Sequence, residues 1–573
     1  MDARLLLLLL AVAGCRVPAK ERAKADAAAA AIIESRQKEA LGRQEPFSIE
    51  RPSDTLRKRL LLAPAPPPGE APQALTLLDA LQVGALNSRE YQTSKEAVFL
   101  TALDLDTERN AFRGLYSGSA NAEATADLSS PTAPDGVTGG ADLGASRLLK
   151  NGVLLAGSIG LDVVRLLTGG RASAYGLFGD ASVSVPLLRG AGRRVVLEPL
   201  TQAEREVVYA LRDFDRFRRT FAVSVASGYL DVLRRFDSVR NAEENYRNLV
   251  VLSRRTDALD RAGRISGIEV DQARQDELRA RDRWIGARQE YEASLDRFKT
   301  TLGLPPDAKL ELDRGELERT TQQVRGSFGI AEEGGAGGEV PAADAPVDLL
   351  APGPEAGRDE ARLIALALGR RQDLRVARGR VEDAERAVLV AADALRAGLT
   401  LTGSASAGEG RGLGSAESAD GALRPSRGVY SAGLLLDLPL ERTAERNAYR
   451  ESFVSLERAI RAQEAIEDAV RSGVRDRLRT LVRAREGVRI QARAVGLARN
   501  RVDSTNLFLE AGRAQVRDVL EATEDLISAQ NALTGALVDY RVAELELQRD
   551  LDLLDVDEQG RWTEGEVGVD EAG

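Results

Sequence analysis

The chain has 573 residues and a net charge of −10, from 79 Lys and Arg against 89 Asp and Glu. It contains no His and one Cys. These counts exclude a His general base, a Ser-His-Asp triad, an intrachain disulfide and a Cys-based metal cluster. The acidic balance argues against a nucleic-acid-binding protein. We therefore expect no enzyme activity and assign no catalytic residue, no metal and no cofactor, although carboxylate or Lys chemistry remains possible in principle.

The amino terminus combines a short apolar run with the only cysteine. Arg4 precedes nine apolar residues that end at Ala13. A membrane-spanning helix needs about 20 residues, whereas this run has the length of a signal-peptide core. The run leads into Val-Ala-Gly-Cys, which resembles the lipobox of bacterial lipoproteins, where the Cys becomes the lipidated first residue. We predict a signal peptide at 1–14 and a covalent lipid on Cys15; an uncleaved apolar start with a buried thiol is the alternative.

Residues 15–70 are predicted to form a lipidated amino-terminal spacer. The segment 25–31 is Ala-rich and compatible with a helix, and the segment 63–69 is rich in Pro. Such a composition favours an extended spacer.

The body of the chain consists of two copies of one unit. Residues 262–273 align without gaps with residues 511–522 at an offset of 249, and Ala-Gly-Arg coincides in both segments. Two further segment pairs follow the same order in each half. We predict structural repeats at 71–304 and 359–552. Between them, 305–358 is predicted to be a Gly-, Pro- and acid-rich linker or irregular insert, and 553–573 an acidic, disordered tail.

Each repeat is predicted to contain a helix, a strand, a loop, a strand and two long helices joined by a turn. Apolar and polar residues alternate with period 2 in four segments, which predicts four strands at 112–124, 175–185, 399–407 and 430–440. Phe178 interrupts the alternation in the second of them. Loops are expected at 127–150 and 408–427, and 151–168 is left open between a strand and an amphipathic helix. Strands of about ten residues with one apolar face are typical of transmembrane β-barrels.

Four strands are too few to form a barrel, which needs at least eight. Lipid does not tolerate open sheet edges. If these strands enter a membrane, several chains must therefore contribute to one barrel.

The long helices carry a seven-residue hydrophobic repeat. Residues 441–506 contain no Pro, and their predicted heptad positions, with Glu467 as the only break, are Phe453, Ile460, Val474, Leu481, Val488, Val495 and Val502. The first half repeats this period at Val225, Val232, Val239 and Tyr246. A strict heptad predicts coiled-coil packing, and a helix of roughly 65 residues is about 100 Å long. A purely structural coiled-coil rod is the alternative.

Taken together, the lipobox, the duplicated unit, the strand pairs and the heptad helices resemble the TolC family of outer-membrane efflux proteins, in its lipoprotein branch. The most specific match is Gly-Arg-Ala-Gln-Val-Arg-Asp-Val-Leu-Glu-Ala at 512–522. The resemblance implies a fold that is mainly α with a β-barrel part: each protomer combines long coiled-coil helices with four transmembrane strands, and three protomers assemble into a barrel and an α-helical tunnel. It also implies a periplasmic membrane-fusion adaptor and an inner-membrane transporter as partners.

The same resemblance suggests functional residues at the ends of the long helices. Asp518 and Glu521 match two acidic residues that ring the periplasmic entrance of the family's tunnel, with Glu in place of the usual second Asp. Their i, i+3 spacing puts them on one helix face; a solvated acidic face paired with Arg513 and Arg517 is the alternative. The helix-tip turns that meet the adaptor correspond to Gly263-Arg264 and Gly512-Arg513, and a turn without a partner is the alternative there.

These observations predict a passive exit duct of a tripartite efflux or type I secretion system. The protein would be a homotrimer in the outer membrane, lipid-anchored and barrel-inserted, with a periplasmic extension and no bound nucleic acid. A structural periplasmic coiled-coil lipoprotein without channel activity is the second hypothesis.

Overall fold

The computed structural model describes residues 17–51, 56–62, 74–126, 135–167, 172–328 and 356–564. The predicted signal peptide, Cys15, the Pro-rich stretch 63–69 and residues 329–355 of the predicted linker lie outside the described residues. None of the described helices is long and apolar enough to cross a membrane.

The chain divides into two compact units. The first comprises the described residues within 1–47, 98–211 and 376–464, and the second those within 48–97, 212–375 and 465–573.

The described helices are α1 (Pro18–Leu41), α2 (Leu56–Leu62), α3 (Leu77–Asn87), α4 (Arg89–Asn110), α5 (Arg193–Val196), α6 (Glu198–Arg261), α7 (Gly267–Thr301), α8 (Gly315–Phe328), α9 (Ala356–Arg370), α10 (Gln372–Ala394), α11 (Thr443–Glu510) and α12 (Val516–Asp550). The strands are β1 (Ala74–Leu75), β2 (Leu115–Thr125), β3 (Gly136–Leu148), β4 (Leu154–Leu166), β5 (Ser173–Pro186), β6 (Glu311–Leu312), β7 (Gly398–Glu409), β8 (Val429–Asp437), β9 (Leu554–Val556) and β10 (Trp562–Glu564).

The first unit contains a six-stranded antiparallel sheet in the order β2-β3-β4-β5-β7-β8. The prediction of four strands is therefore wrong. Strand β3 lies inside the segment 127–150, which was predicted to be a loop, and β4 settles the open segment 151–168 as a strand. The predicted strands at 112–124, 175–185, 399–407 and 430–440 correspond to β2, β5, β7 and β8.

The register of the sheet sorts its side chains into an apolar and a polar face. Partners across the ladder share a face, so Tyr116, Ala145, Gly157, Ala181, Ala405 and Tyr430 form one row of the apolar face. Many large side chains of this face are exposed in the single chain, including Tyr116, Leu143, Ile159, Val163, Tyr175, Tyr430, Leu434 and Leu436. The central part of the opposite face carries Ser, Thr and acidic side chains, among them Glu123, Asp142, Asp162 and Asp180.

Glycines let bulky or polar neighbours fit on the polar face. A Cβ on Gly160 would lie 2.2 Å from the Phe178 ring, and one on Gly140 would lie 2.6 Å from the Asn121 side chain. Phe178 therefore breaks the alternation because its ring occupies the space that Gly160 leaves free. Strand β3 therefore has small side chains because side chains of the adjacent strands occupy the space beside it.

The amino-terminal helix α1 is packed, contrary to the prediction of an extended spacer for this part of 15–70. Its Ile32 and Ile33 are buried. Arg36 forms an ion pair with Glu204 of α6 at 2.8 Å. The Ala-rich segment 25–31 lies within this helix.

Two antiparallel helical hairpins lie mainly in the second unit, the first formed by α6 and α7 and the second by α11 and α12; the beginnings of α6 (198–211) and of α11 (443–464) belong to the first unit. Aromatic pairs join the helices of the first hairpin: Tyr229–Phe298, Phe236–Tyr291 and Tyr246–Trp284, with ring centroids 5.5–6.0 Å apart. In the second hairpin, Val474 packs near Leu547 and Val488 packs with Leu537. All the predicted heptad residues are buried or half-buried.

Arg–carboxylate pairs add an ionic connection in the second hairpin. Arg477 of α11 contacts Glu546 at 2.5 Å and Asp550 at 3.2 Å, both on α12. Burial opposes ionisation of Asp550, but its arginine partners prevail and lower its pKa.

Parts of the predicted linker and of the predicted disordered tail are structured. Strand β6 pairs in parallel with β1, and the Tyr229 hydroxyl lies 2.9 Å from the carbonyl oxygens of both Leu75 and Asp313. At the carboxyl end, β9 and β10 form an antiparallel pair. Arg219 donates from Nε to the carbonyl oxygen of Leu554 at 2.8 Å. The prediction of disorder is therefore wrong for the strands of 553–564; residues 565–573 lie outside the described part.

Candidate functional site

The turns that connect the helices of each hairpin have the same backbone geometry. Gly263 and Gly512 both have φ +67°, in the left-handed region that glycine adopts without strain. Arg264 N–H donates to the Leu259 carbonyl and Arg513 N–H donates to the Phe508 carbonyl, at 2.9 and 2.8 Å. With the bonds from each glycine N–H to the residue three positions earlier, this is the Schellman arrangement that ends helices. The predicted tip residues thus form matching turns in the two repeats.

A carboxylate begins the return helix after each turn. The backbone N–H of Ser266 donates to Glu269 Oε2, and that of Gln515 donates to Asp518 Oδ2, each at 2.9 Å. Both acids occupy the third helical position, where a side chain can reach back and satisfy a free N–H. Negative charge is also favourable at a helix amino terminus. Asp518 therefore has a structural role in addition to the predicted gate role.

Glu521 lies one turn further along α12 and pairs with the other helix of its hairpin. Arg501 Nη2 of α11 contacts Glu521 Oε1 at 3.1 Å, and the same guanidinium also pairs with Asp525. All three side chains are at least half exposed. The alternative to the predicted gate paired the acids with Arg513 and Arg517, and Arg501 was not predicted from the sequence. Counting residues outward from the turn of an antiparallel hairpin would have placed Arg501 opposite residues 521–525.

The two hairpins pack together next to the tips. Leu249 of α6, Ala280 of α7 and Val516 and Leu520 of α12 form a common buried cluster. Arg283 of α7 contacts Glu524 of α12 at 2.7 Å. The positions of Asp518 and Glu521 are thus fixed by buried neighbours on the opposite side of the same helix.

Apolar and basic side chains are exposed around the turns. Ile268 is 80%, Leu507 66% and Phe508 52% exposed, and the side chains of Arg264 and Arg513 are also exposed. Such a mixture is available for a protein contact. No group of three or more carboxylate or thiol residues suited to a metal ion occurs within the described ranges.

Replacing either tip glycine by Ala is expected to destabilise its turn. The left-handed conformation costs a residue with a Cβ about 1 kcal/mol, although neither glycine has a neighbour within 4 Å of an added Cβ. Hydrogen exchange should become faster in the last turn of α6 for Gly263→Ala and of α11 for Gly512→Ala. Gly496→Ala, in the interior of α11 and also without a nearby atom, should slow exchange because Ala favours a helix. Equal exchange in all three variants would contradict the turn geometry.

Solved structures of outer-membrane channels share this fold. The outer-membrane channel OprN matches with a TM-score of 0.56 and 15% identity, over 89% of this chain and 94% of its own. CusC, a transmembrane channel, matches with a TM-score of 0.55 and 13% identity, over 88% of this chain and 98% of its own. The CmeC outer membrane channel of Campylobacter jejuni matches with a TM-score of 0.57 and 12% identity, over 86% of this chain and 87% of its own. No family model and no curated protein matches the chain.

The fold is thus that of an outer-membrane channel protomer, with long helical hairpins and an antiparallel sheet. These channels belong to the TolC family, and the TolC-type fold predicted from the sequence resemblance is confirmed.

Proposed function

We propose that this chain is the outer-membrane channel of a tripartite efflux or type I secretion system. The observation that carries the proposal is the apolar face of the six-stranded sheet, whose large side chains are exposed in the single chain while the opposite face is largely polar. An exposed apolar surface of this kind marks a membrane or protein contact. Alternation in every strand is the arrangement of a membrane barrel with lipid outside and water inside.

The edges of the sheet support assembly from several copies. Among the described strands, β2 and β8 each pair on one side only, and lipid does not tolerate open edges. Because β2 and β8 run antiparallel, β8 of one copy can pair with β2 of the next. A homotrimer would contribute 18 strands, six from each copy, and barrels of 16–18 strands enclose an aqueous channel.

The helical part would form the periplasmic extension of the channel. Six carboxylates, from Asp518 and Glu521 of three chains, would surround its entrance and favour cations. The turns at Gly263-Arg264 and Gly512-Arg513 would contact a membrane-fusion adaptor, and a separate inner-membrane transporter would supply the energy. The protein would act as a passive duct and not as an enzyme.

A lipid on Cys15 would add a second attachment to the outer membrane. Mass spectrometry of the mature protein should find an acylated Cys15 at its amino terminus. Cys15→Ser should lose this modification, and a mature chain that begins upstream of residue 15 would contradict the assignment.

The channel function can be tested by placing a charge on either face of the sheet. The full-length protein should form a trimer that conducts ions in planar bilayers. Leu143→Arg puts a charge on the apolar face, where it costs about 2–4 kcal/mol at the middle of a bilayer, and should strongly reduce insertion. Ser119→Arg adds the same charge on the polar face one strand away and should insert normally with weaker cation selectivity. If both variants insert equally well, or if the parent protein does not conduct, the result would favour the second hypothesis, a structural coiled-coil lipoprotein without channel activity.

A further inference from the structure

A cavity of about 1120 Å³ lies in the first unit, at the end of the sheet where the helices begin. Lys150, in the turn between β3 and β4, lines it together with Arg193 and Arg194, which follow β5. The other wall belongs to the beginning of α6 and the end of α10, including Leu197, Leu200, Leu389 and Val390. The cavity therefore has one basic side and an opposite side on which apolar residues lie among charged ones.

The carboxylates around this cavity are already neutralised by other arginines. Glu198 pairs with Arg386 at 3.0 Å and Asp393 pairs with Arg396 at 3.1 Å. Glu204 pairs with Arg36 at 2.8 Å. Because these three carboxylates are already paired, they do not neutralise the positive charges of Lys150, Arg193 and Arg194.

These three cations are exposed. None of them has a side-chain hydrogen bond or ion pair with any other described residue. The cavity wall therefore carries three positive charges that are available to an anion.

The fold holds the three cations close to one another. Gly152, with φ +93°, belongs to the same turn as Lys150. A Cβ on Gly152 would lie 3.0 Å from the Gly190 carbonyl oxygen, from Pro186 and from Val196. The turn between β3 and β4 therefore packs closely against the end of β5 and against α5, the short helix that carries Arg193 and Arg194. The basic wall is part of the packed structure and does not depend on a long free loop.

We propose that this cavity binds the phosphate headgroup of an anionic phospholipid, with the acyl chains along its leucine-lined wall. The charge complementarity selects an anion, and the apolar residues of the opposite wall select an amphiphile over a free phosphate. The proposal rests on the proposed function, because it requires the sheet to be embedded in a membrane. It places an anionic-lipid site at the boundary between the sheet and the helices.

The test measures lipid binding to the full-length protein in detergent by native mass spectrometry. Phosphatidylglycerol and phosphatidylcholine of the same acyl chains are titrated separately, and inorganic phosphate is added as a competitor. A cation near an anionic lipid contributes a factor of about five in affinity, so phosphatidylglycerol should bind at least roughly tenfold more tightly. Lys150→Gln/Arg193→Gln/Arg194→Gln should abolish this preference.

Two matched variants control for net charge and for folding. Arg165→Gln/Arg424→Gln/Arg427→Gln removes three exposed cations at the opposite end of the sheet and should keep the preference. Lys150→Arg/Arg193→Lys/Arg194→Lys retains the charges and should also keep it.

Equal binding of the two lipids, equal loss in both neutralised variants, or full displacement by inorganic phosphate would overturn the lipid site. The same preparation is tested for conductance. A protein that conducts but shows no lipid preference overturns this inference alone, whereas a protein that does not conduct overturns the proposed function.

Discussion

Neutralising Asp518 and Glu521 together is expected to lower the potassium conductance and the cation selectivity of the reconstituted channel severalfold. A ring of carboxylates at a constriction concentrates cations because the charges lie close to the ion path. The variant Asp518→Asn/Glu521→Gln retains side-chain oxygens, so the amide of residue 518 can still accept the hydrogen bond from the Gln515 N–H. The change therefore tests charge with little effect on the helix start. Single-channel recordings in a potassium gradient measure both quantities.

Arg501→Gln is expected to raise the cation selectivity that the double neutralisation lowers. Arg501 pairs with Glu521 and Asp525, so its removal leaves more negative charge at the proposed entrance and should increase cation selectivity. Arg479→Gln is the matched control, since Arg479 is an exposed α11 residue paired with Asp476 on its own helix. If both the double neutralisation and Arg501→Gln leave selectivity unchanged, Asp518 and Glu521 do not form the gate.

Replacing Arg219 by Met is expected to destabilise the second unit by about 3–5 kcal/mol, the usual cost of breaking a buried ion pair from one side. The Arg219 side chain is 10% exposed and contacts Asp215 at 2.7 Å and Asp552 at 3.1 Å. It also fixes β9 through the Leu554 carbonyl. The Asp552 side chain is more deeply buried than that of Arg219, at 3% exposed, and its backbone has φ +56°. Neither of its carboxylate oxygens accepts a hydrogen bond of good geometry. Thermal unfolding of the full-length protein, followed by circular dichroism, measures the loss.

The pH dependence of this loss identifies its cause. Burial raises the pKa of Asp552, and the nearby Arg219 opposes that shift. Because the folded state binds the proton more tightly than the unfolded state, lowering the pH through this raised pKa relieves the cost of the buried charge. The destabilisation by Arg219→Met should therefore be largest near neutral pH and shrink under acidic conditions. Arg283→Met, which breaks an exposed pair with Glu524, should cost no more than about 1 kcal/mol; an equal loss would contradict the role of burial.

Strand prediction succeeded where polar residues alternate with apolar or small ones and failed in β3, where small residues occupy both faces. In β7, for example, Thr and Ser alternate with Leu, Gly and Ala, which indicates the period. In β3 the apolar face includes Gly139, Ala141 and Ala145, and the polar face includes Gly140 and Gly144. A composition rich in Gly, Ala, Ser and Asp predicts a loop when it is considered alone. Only the neighbouring strands show that a Cβ on Gly144 would lie 2.7 Å from the Ser117 hydroxyl.

The tip turns could be predicted because their determinants are local. Gly263 and Gly512 end one helix, and an acid six residues later caps the next, with the same spacing in both repeats. Arg501 could not be found in this way, because its partners follow it by 20 and 24 residues and meet it only when the hairpin has formed. The Arg219 network depends on still more distant parts of the chain, so no local pattern indicates it.

The ion pairs between the helices of each hairpin have a consequence for how the protein responds to its surroundings. In the first hairpin Arg274 of α7 contacts Asp257 of α6 at 3.0 Å, and in the second Arg501 of α11 contacts Glu521 of α12 at 3.1 Å. Both pairs lie near the helix-tip turns, and dissolved ions screen such partly exposed pairs. A rise in ionic strength should therefore loosen the tips of both hairpins, while the aromatic pairs of the first hairpin remain in contact. The two tips are thus the ends of the helices that respond to the electrolyte.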